Sequence, residues 1–181
     1  IDHGSITAVL GTRAVEITTL RRDVETDGRH AKVDFTDDWL ADAQRRDFTI
    51  NALYADPDGV IYDPVGGLRD LEAGYIRFIG NAADRIEEDA LRILRFFRFV
   101  AFYATRQPDK QALSACANAS EKLSGLSAER VTQEIFRLLV ADNPLPALDA
   151  MAATGVLQII LPEATRIETL GVLRELEVAA G

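Results

Sequence analysis

The pattern of hydrophobic and polar positions changes near residue 80, which divides the chain into two kinds of secondary structure. Before that point, short alternating apolar runs predict strands joined by tight turns. The predicted strands are 6–10, 14–20 and 75–79, and a further hairpin turns at Asp58-Gly59. A short helix is predicted from a cap at 36–38 through Ala43. The polar stretch 21–37 predicts a long loop, and Pro64 with Gly66-Gly67 predicts a hinge-like turn over 63–71.

After residue 81, apolar positions recur at the three- and four-residue steps that are typical of helices. One long helix is predicted from residue 84 to about 103, and its core-facing stripe comprises Ile86, Ala90, Ile93, Phe97 and Val100. A second face carries Asp89, Arg92, Phe96 and Phe99. Further helices are predicted at 111–123, 147–155, 156–161 and 170–178. One more is predicted to begin at the N-cap Ser127 and to carry the apolar stripe Val131, Ile135, Leu138 and Leu139. The fold class expected is therefore α+β, with strands before residue 80 and helices after it.

Composition and charge exclude several classes of protein. The chain has 181 residues and a net charge of -9, which argues against a surface that binds nucleic acid everywhere. It contains no apolar run near the roughly 20 residues of a membrane span. The single Cys116 excludes an internal disulfide and fits a reducing compartment, so we expect a cytoplasmic location. A local basic cleft remains compatible with this composition, because arginine is dense between 85 and 98.

The segment Arg45-Arg46-Asp47, with Asn51 following, is the first candidate for chemistry. Adjacent guanidinium groups favour phosphate oxygens through bidentate, charge-assisted hydrogen bonds. Asp47 can accept hydrogen bonds from ribose hydroxyls or from arginine, and Asn51 offers both donors and an acceptor. An ion pair at a helix end is the alternative on residue types alone.

Asp89 and Arg92 are the second candidate, because one turn of helix would present an acceptor beside a set of donors. Cytosine and adenine each carry an exocyclic amine next to a ring acceptor nitrogen, whereas guanine and uracil carry a carbonyl next to a ring N–H. An Asp–Arg pair therefore matches C and A and mismatches G and U. Arg95 and Arg98 could contact phosphates or extend the polar wall. The alternative is an ion-paired surface helix, with Arg85–Asp89 and Glu88–Arg92 pairs.

Glu16 is a third and weaker candidate, since it projects from one face of the strand 14–20. A single carboxylate does not bind Mg²⁺ unless further oxygen ligands approach it, and Asp23 is the one other acid nearby in sequence.

Several stretches resemble the motifs of one family, the class II tRNA nucleotidyltransferases (CCA-adding enzymes) and bacterial poly(A) polymerases of the polymerase-beta nucleotidyltransferase superfamily. The resemblance covers residues 1 to 140 in order and at the family's spacing. Its matching stretches are EITTLR at 16–21, TDGRH at 26–30, RRDFTINAL at 45–53, DPVGGLRDL at 63–71, RFIG at 77–80, EDALRILRFFRF at 88–99 and LSAER at 126–130.

The resemblance implies a domain order. Residues 1–80 would be the C-terminal part of a nucleotidyltransferase palm, or head, and residues 81–140 a helical neck that selects the nucleotide. Residues 141–181 would be the start of a helical body.

The resemblance also implies an activity, which is the addition of C, C and A to the 3′ end of tRNA from CTP and ATP, without a nucleic-acid template and with Mg²⁺. Asp89 and Arg92 would select the base, and Arg46, Asp47 and Asn51 would bind triphosphate and ribose. The nucleotide-binding set implied is Arg45, Arg46, Asp47, Asn51, Asp89, Arg92, Arg95 and Arg98. Glu16 would be an accessory carboxylate, and the loop 21–37 would help to switch between C and A.

The family's glycine-rich turn and its metal-binding D-x-D lie upstream of the residue that corresponds to Ile1. We therefore expect the Mg²⁺ ligands upstream and none within these residues, and we expect the isolated stretch to be inactive. Two alternatives stay open. One is a poly(A) polymerase or A-adding enzyme of the same family, and the other is a non-catalytic nucleotide- or RNA-binding module.

Overall fold

The computed structural model describes residues 5–27 and 30–180, without the side chains of 23–27, 30–33, 178 and 180. Within this part of the chain, strands come first and helices follow, so the predicted α+β class is confirmed. The strands are β1 (Ser5–Leu10), β2 (Arg13–Thr18), β3 (Arg21–Asp27), β4 (His30–Phe35), β5 (Tyr54–Ala55) and β6 (Ile61–Tyr62). The helices are α1 (Trp39–Gln44), α2 (Gly67–Glu72), α3 (Ala82–Glu88), α4 (Leu91–Tyr103), α5 (Lys110–Asn118), α6 (Ala128–Leu139), α7 (Leu145–Ala153), α8 (Val156–Ile160) and α9 (Glu168–Ala180).

The described strands form three separate antiparallel hairpins, β1–β2, β3–β4 and β5–β6. The first and third match the prediction, with Gly11 and Gly59 in the positive-φ conformation at their turns. The second corrects the prediction of a long loop at 21–37. Its strands pair from Arg21 with Phe35 to Asp27 with His30. Backbone pairing needs no apolar face, so a polar hairpin of this kind leaves no alternating signal in the sequence.

The predicted turn over 63–71 contains a helix, because the Asp63 carboxylate accepts the backbone N–H groups of Gly67 at 2.8 Å and Leu68 at 3.0 Å. These bonds satisfy donors at the start of α2 that would otherwise lack partners. The predicted strand 75–79 is also corrected. It is reduced to one isolated bridge, in which Phe78 pairs antiparallel with Phe48.

The long helix predicted from 84 to 103 is broken at Asp89 into α3 and α4. Asp89 has an extended backbone, with φ of -155° and ψ of 108°. Its Oδ1 accepts the backbone N–H of Leu91 at 3.0 Å, which caps the start of α4. A short acidic side chain competes with the helix for backbone donors in this way, and hydrophobic periodicity does not reveal it.

The main hydrophobic core continues across the division near residue 80. Phe48, Ile76 and Phe78 pack with residues of α3 and α4, and the cluster extends through α5 to α8. Phe96 is fully buried and Phe99 is 8% exposed, so the second predicted face, which carries both with Asp89 and Arg92, also contributes to the core. Stacking of Phe78 on Phe96, with ring centroids 5.5 Å apart, is one direct contact between the two parts.

The remaining helices differ from prediction in small respects. The helix predicted at 111–123 ends at Asn118, and a 3₁₀ helix follows at Ser120–Gly125. Ser127 is the N-cap of α6 but makes no side-chain capping bond. Ile135 and Leu138 of the predicted stripe are buried, whereas Leu139 is exposed. In the described ranges, no helix combines the length and apolar character needed to cross a membrane.

Candidate functional site

A cavity of about 530 Å³ opens between the β1–β2 hairpin, the end of α1 and the start of α4. Arginine and carboxylate side chains dominate its lining, together with small polar groups. It is lined by Ser5, Glu16, Thr18, Arg21, Arg45, Arg46, Asp47, Asn51, Asp89, Leu91, Arg92, Arg95 and Arg130. Of the predicted site residues, Arg98 alone does not line it. The surplus of arginines over acids suits a polyanionic ligand.

The Arg45-Arg46 pair is fixed by Asp42, a fully buried carboxylate of α1. Its Oδ1 accepts Arg45 Nε at 2.9 Å and Nη2 at 2.5 Å, and its Oδ2 accepts Arg46 Nε at 3.0 Å and Nη2 at 2.9 Å. The Tyr54 hydroxyl donates to Oδ2 at 2.8 Å, and the Arg21 amide donates to Oδ1 at 3.1 Å. One anion thus holds both guanidinium groups at the cavity wall. Each guanidinium has five N–H donors, so some remain for a ligand.

These same donors determine the ionisation of Asp42. Burial alone would raise the pKa of this carboxyl, but bonds from Arg45, Tyr54, the Arg21 amide and Arg46 outweigh it and lower the pKa to about 2. Burial and the bond to Asp42 together raise the pKa of Tyr54 to about 12. Asp42 is therefore an anion at neutral pH, and Tyr54 is a neutral donor to it.

Asp47 connects the Arg45-Arg46 segment to helix α4. Its Oδ1 accepts the Phe48 backbone N–H at 3.0 Å and Asn51 Nδ2 at 2.9 Å, and its Oδ2 accepts Arg95 Nε. The Asp47 side chain is only 5% exposed. Ribose hydroxyls and arginine are the two kinds of partner predicted for Asp47. In the structure, Asp47 binds an arginine. The predicted residues Asp47, Asn51 and Arg95 therefore form one hydrogen-bonded group.

Asp89 and Arg92 both reach the cavity, and each has a protein partner there. Arg92 Nη1 donates to the Arg85 carbonyl oxygen at 2.8 Å and to the Glu88 carboxylate. Glu88 also pairs with Arg85, so the predicted Glu88–Arg92 pair is present but the predicted Arg85–Asp89 pair is not. Asp89 instead accepts Arg130 Nη2 from α6 at 2.8 Å. The break at Asp89 explains the difference, because its side chain no longer follows the helical spacing.

Arg98 lies between α4 and α6 rather than at the cavity. Its Nε donates to Glu134 Oε2 at 2.7 Å, and its guanidinium carbon lies 4.8 Å from the centre of the Phe99 ring. Glu134 is only 4% exposed, so this pair is largely withdrawn from water. We conclude that Arg98 acts here as a contact between helices.

Glu16 lines the cavity as an exposed side chain of β2, opposite Thr7 in the hairpin register. Among the side chains that the structure describes, no group of three or more carboxylate, cysteine or histidine side chains could together hold a metal ion. The other acids of the lining, Asp47 and Asp89, are occupied by arginines. The carboxylates that line the cavity therefore suit an accessory ligand for a divalent cation but not a complete metal site.

Gly67 explains how the DPVGG segment supports the site. A Cβ atom added at Gly67 would lie 2.1 Å from the backbone oxygen of Thr49, which only glycine avoids. The Thr49 hydroxyl donates to Asp70 Oδ2 of α2 at 2.6 Å. Helix α2 therefore packs directly against the short 3₁₀ turn Thr49–Asn51, which follows Asp47.

Asp42 and Arg130, which hold predicted site residues in place, were not predicted from the sequence. Asp42 precedes Arg45 and Arg46 by three and four positions, a helical spacing that could have identified it. Arg130 meets Asp89 from a distant helix, and no local pattern indicates that contact. Glu88, which was predicted to pair with Arg92, binds both Arg85 and Arg92.

Two segments of the chain match known sequence families. Residues 1–77 match the poly(A) polymerase head domain. Residues 107–168 match the family described as a probable RNA and SrmB-binding site of polymerase A. The first segment includes the Arg45-Arg46 pair and Glu16, and the second includes Arg130.

Individual relatives are similar over most of the chain. The mitochondrial CCA tRNA nucleotidyltransferase 1 of Danio rerio is 44% identical over 158 residues, which is 86% of this chain and 37% of that protein. The CCA-adding enzyme of Streptococcus sanguinis is 40% identical over 164 residues, 88% of this chain and 40% of that protein. The crystal structure of the Bacillus stearothermophilus CCA-adding enzyme in complex with CTP superposes with a TM-score of 0.78 at 33% identity. That superposition covers 92% of this chain and 40% of the other. This chain therefore spans about two fifths of the length of these relatives.

Proposed function

This chain belongs to the family of CCA-adding tRNA nucleotidyltransferases and poly(A) polymerases, and we propose that it is the nucleotide-selecting part of a CCA-adding enzyme. The full-length protein would add C, C and A to the 3′ end of tRNA, using CTP and ATP and no nucleic-acid template. The main support for this proposal is the cavity of the candidate site. It brings the Arg45-Arg46 pair together with Asp89 and Arg92, although these segments are far apart in the sequence.

Arg45 and Arg46 would bind the triphosphate. Their shared anchor on Asp42 orders both guanidinium groups before a ligand arrives, which lowers the entropy lost on binding. Phosphate contacts carry no information about the base, so this part of the site would serve CTP and ATP equally. Asp47 and Asn51 would orient the sugar, either directly or by positioning Arg95.

Asp89 and Arg92 would select the base. The carboxylate would accept the exocyclic amine of C or A, and the guanidinium would donate to the adjacent ring nitrogen. With U or G, the carboxylate would meet a carbonyl or the guanidinium would meet a ring N–H. Each such mismatch leaves a polar group unpaired, which costs roughly 1–3 kcal/mol.

Mg²⁺ would supply charge neutralisation for the reacting phosphates. The described carboxylates suit at most an accessory role for Glu16, so we propose that the principal ligands belong to a D-x-D segment outside these residues. We further propose a head at 1–80, a neck at 81–140 and a body that begins at 141, together with a cytoplasmic location. The match of 1–77 to a head domain supports the first of these boundaries.

Incorporation of labelled nucleotides into a tRNA that lacks its 3′ end tests the proposal on the full-length protein. We expect CTP alone to add two cytidines and the two nucleotides together to add three residues. ATP alone should give no extension of this substrate. A matched assay on tRNA that already ends in two cytidines should show addition of a single A.

Two other outcomes would contradict the proposal in different ways. Extension by ATP but never by CTP would indicate an A-adding enzyme or a poly(A) polymerase. Binding of CTP without any incorporation would indicate a non-catalytic nucleotide-binding module.

A further inference from the structure

The Asp89 carboxylate is held by two donors that come from different parts of the chain. Oδ1 accepts the Leu91 backbone N–H at 3.0 Å, and Oδ2 accepts Arg130 Nη2 at 2.8 Å. Because Asp89 lies in the extended break between α3 and α4, regular helix geometry does not fix its side chain. The two bonds therefore determine which way the carboxylate faces.

Helix α6 keeps Arg130 in place through a second ion pair. Glu134 lies one turn after Arg130, is 4% exposed and accepts Arg98 Nε at 2.7 Å. Arg137 reaches the same carboxylate from the solvent side at 3.3 Å, with a side chain that is 61% exposed. The buried pair locks α6 against α4. Arg130, on the neighbouring turn, is thereby directed at Asp89.

We propose that Arg130 is a positioning residue that determines base specificity, by orienting the Asp89 carboxylate toward the exocyclic amine of C or A. This inference rests on the proposed function. An ionised carboxylate offers about four lone-pair positions, so the bonds to Leu91 and Arg130 leave acceptor capacity for a base. The remaining lone pairs point in a fixed direction only while Arg130 holds Oδ2.

Loss of Arg130 should weaken selection in a particular direction. A carboxylate that rotates away leaves Arg92 as the main group at the base edge. The guanidinium of Arg92 can donate to the carbonyl oxygen of U or G, which the oriented carboxylate would repel. Misincorporation of UTP and GTP should therefore rise more than incorporation of CTP and ATP falls.

The test is steady-state incorporation of each of the four nucleotides by the full-length protein carrying Arg130→Ala, Arg130→Lys or the control Arg137→Ala. Arg137 is on the same helix and is also paired, but it does not line the cavity. For Arg130→Ala we expect the ratio of kcat/KM for CTP to that for UTP to fall about tenfold. Arg130→Lys should restore part of the ratio, since an ammonium group can still bind Oδ2. Arg137→Ala should leave the ratio unchanged.

The outcomes separate this inference from the proposed function. If the wild-type protein adds C and A but Arg130→Ala keeps its selectivity, the inference fails and the proposed function stands. An equal loss of kcat/KM for all four nucleotides would likewise overturn the inference, because loss of a phosphate contact would explain it. A raised KM for tRNA alone would also overturn it, because loss of an RNA contact would explain that result. If the wild-type protein incorporates neither C nor A, the proposed function itself fails.

Discussion

Replacement of Asp42 by asparagine is the sharpest test of how the cavity is built. The substitution keeps the shape of the side chain but removes the charge that Arg45 and Arg46 share. Asparagine also presents an amide group with donors toward guanidinium groups that can only donate. Loss of one partner from a buried ion pair costs about 3–5 kcal/mol. Because the two arginine side chains are 17% and 32% exposed and can rehydrate, we expect the lower end of that range, about 3 kcal/mol.

Urea unfolding followed by circular dichroism measures this loss. At an m-value of about 2 kcal/mol per molar urea, a loss of 3 kcal/mol lowers the midpoint by about 1.5 M. A matched control is Asp34→Asn, which removes an exposed ion pair with Arg22 whose side chains are about 60% exposed. Exposed pairs contribute about 0–1 kcal/mol, so this control should barely move the midpoint.

The pH dependence of the same measurement gives an independent check. The pKa of Asp42 falls from 3.8 to about 2 on folding, which corresponds to roughly 2 kcal/mol of stabilisation. A lowered pKa stabilises the fold above the unfolded value of 3.8, and the contribution is lost as the pH falls toward 2. The difference in unfolding free energy between wild type and Asp42→Asn should therefore narrow between pH 4 and pH 2. A loss below about 1 kcal/mol at pH 7, or a difference independent of pH, would refute this account of Asp42.

Four further substitutions test the rest of the site. Arg46→Ala should raise KM for CTP and ATP by a similar factor, because it removes the proposed phosphate contact; in kinetic assays, a change for only one nucleotide would contradict this. Asp89→Ala and Arg92→Ala should each reduce discrimination against UTP and GTP in four-nucleotide incorporation assays, and unchanged selectivity would remove the base-selecting role. Gly67→Ala should lower the thermal midpoint by several degrees, since its Cβ would lie 2.1 Å from the Thr49 oxygen; an unchanged midpoint in calorimetry would show that the backbone adjusts freely.

The sequence predicted the elements with a regular apolar period and failed where polar groups control the backbone. The segment after residue 81 was correctly assigned as helical, because its buried side chains recur at helical steps. The break at Asp89 was missed, since it arises from a side-chain bond to the Leu91 amide that leaves the period intact. The β3–β4 hairpin was missed for a related reason. Its cross-strand bonds involve backbone atoms, which the side-chain pattern does not report.

The sequence indicated which residues line the cavity better than it indicated the contacts between them. Arg45, Arg46, Asp47, Asn51, Asp89, Arg92, Arg95 and Glu16, indicated by residue chemistry together with the family resemblance, all line one cavity, and their roles toward a nucleotide stay predictions. The partners that fix them were harder to find. Arg130 approaches Asp89 only because α6 packs against α4, and a contact of that kind depends on tertiary structure. Arg98, predicted to contact phosphates or to extend the polar wall, binds Glu134 of α6 and does not line this cavity.

The residues proposed to bind phosphate and those proposed to select the base are bonded to one another in this structure. Arg85 Nη1 donates to the backbone oxygen of Gln44 at 2.7 Å, and Arg92 Nη2 donates to that of Arg45 at 3.3 Å. Arg95 binds the carboxylate of Asp47. Three arginines of α3 and α4 therefore bond to the segment that carries Arg45 and Arg46.

A displacement of α3 and α4 relative to that segment would break several charge-assisted bonds at once. The two halves of the site are consequently held in register before a nucleotide binds. Such an arrangement favours selection of the base by a fixed geometry. A pocket that does not adapt leaves the donors and acceptors of a wrong base unpaired.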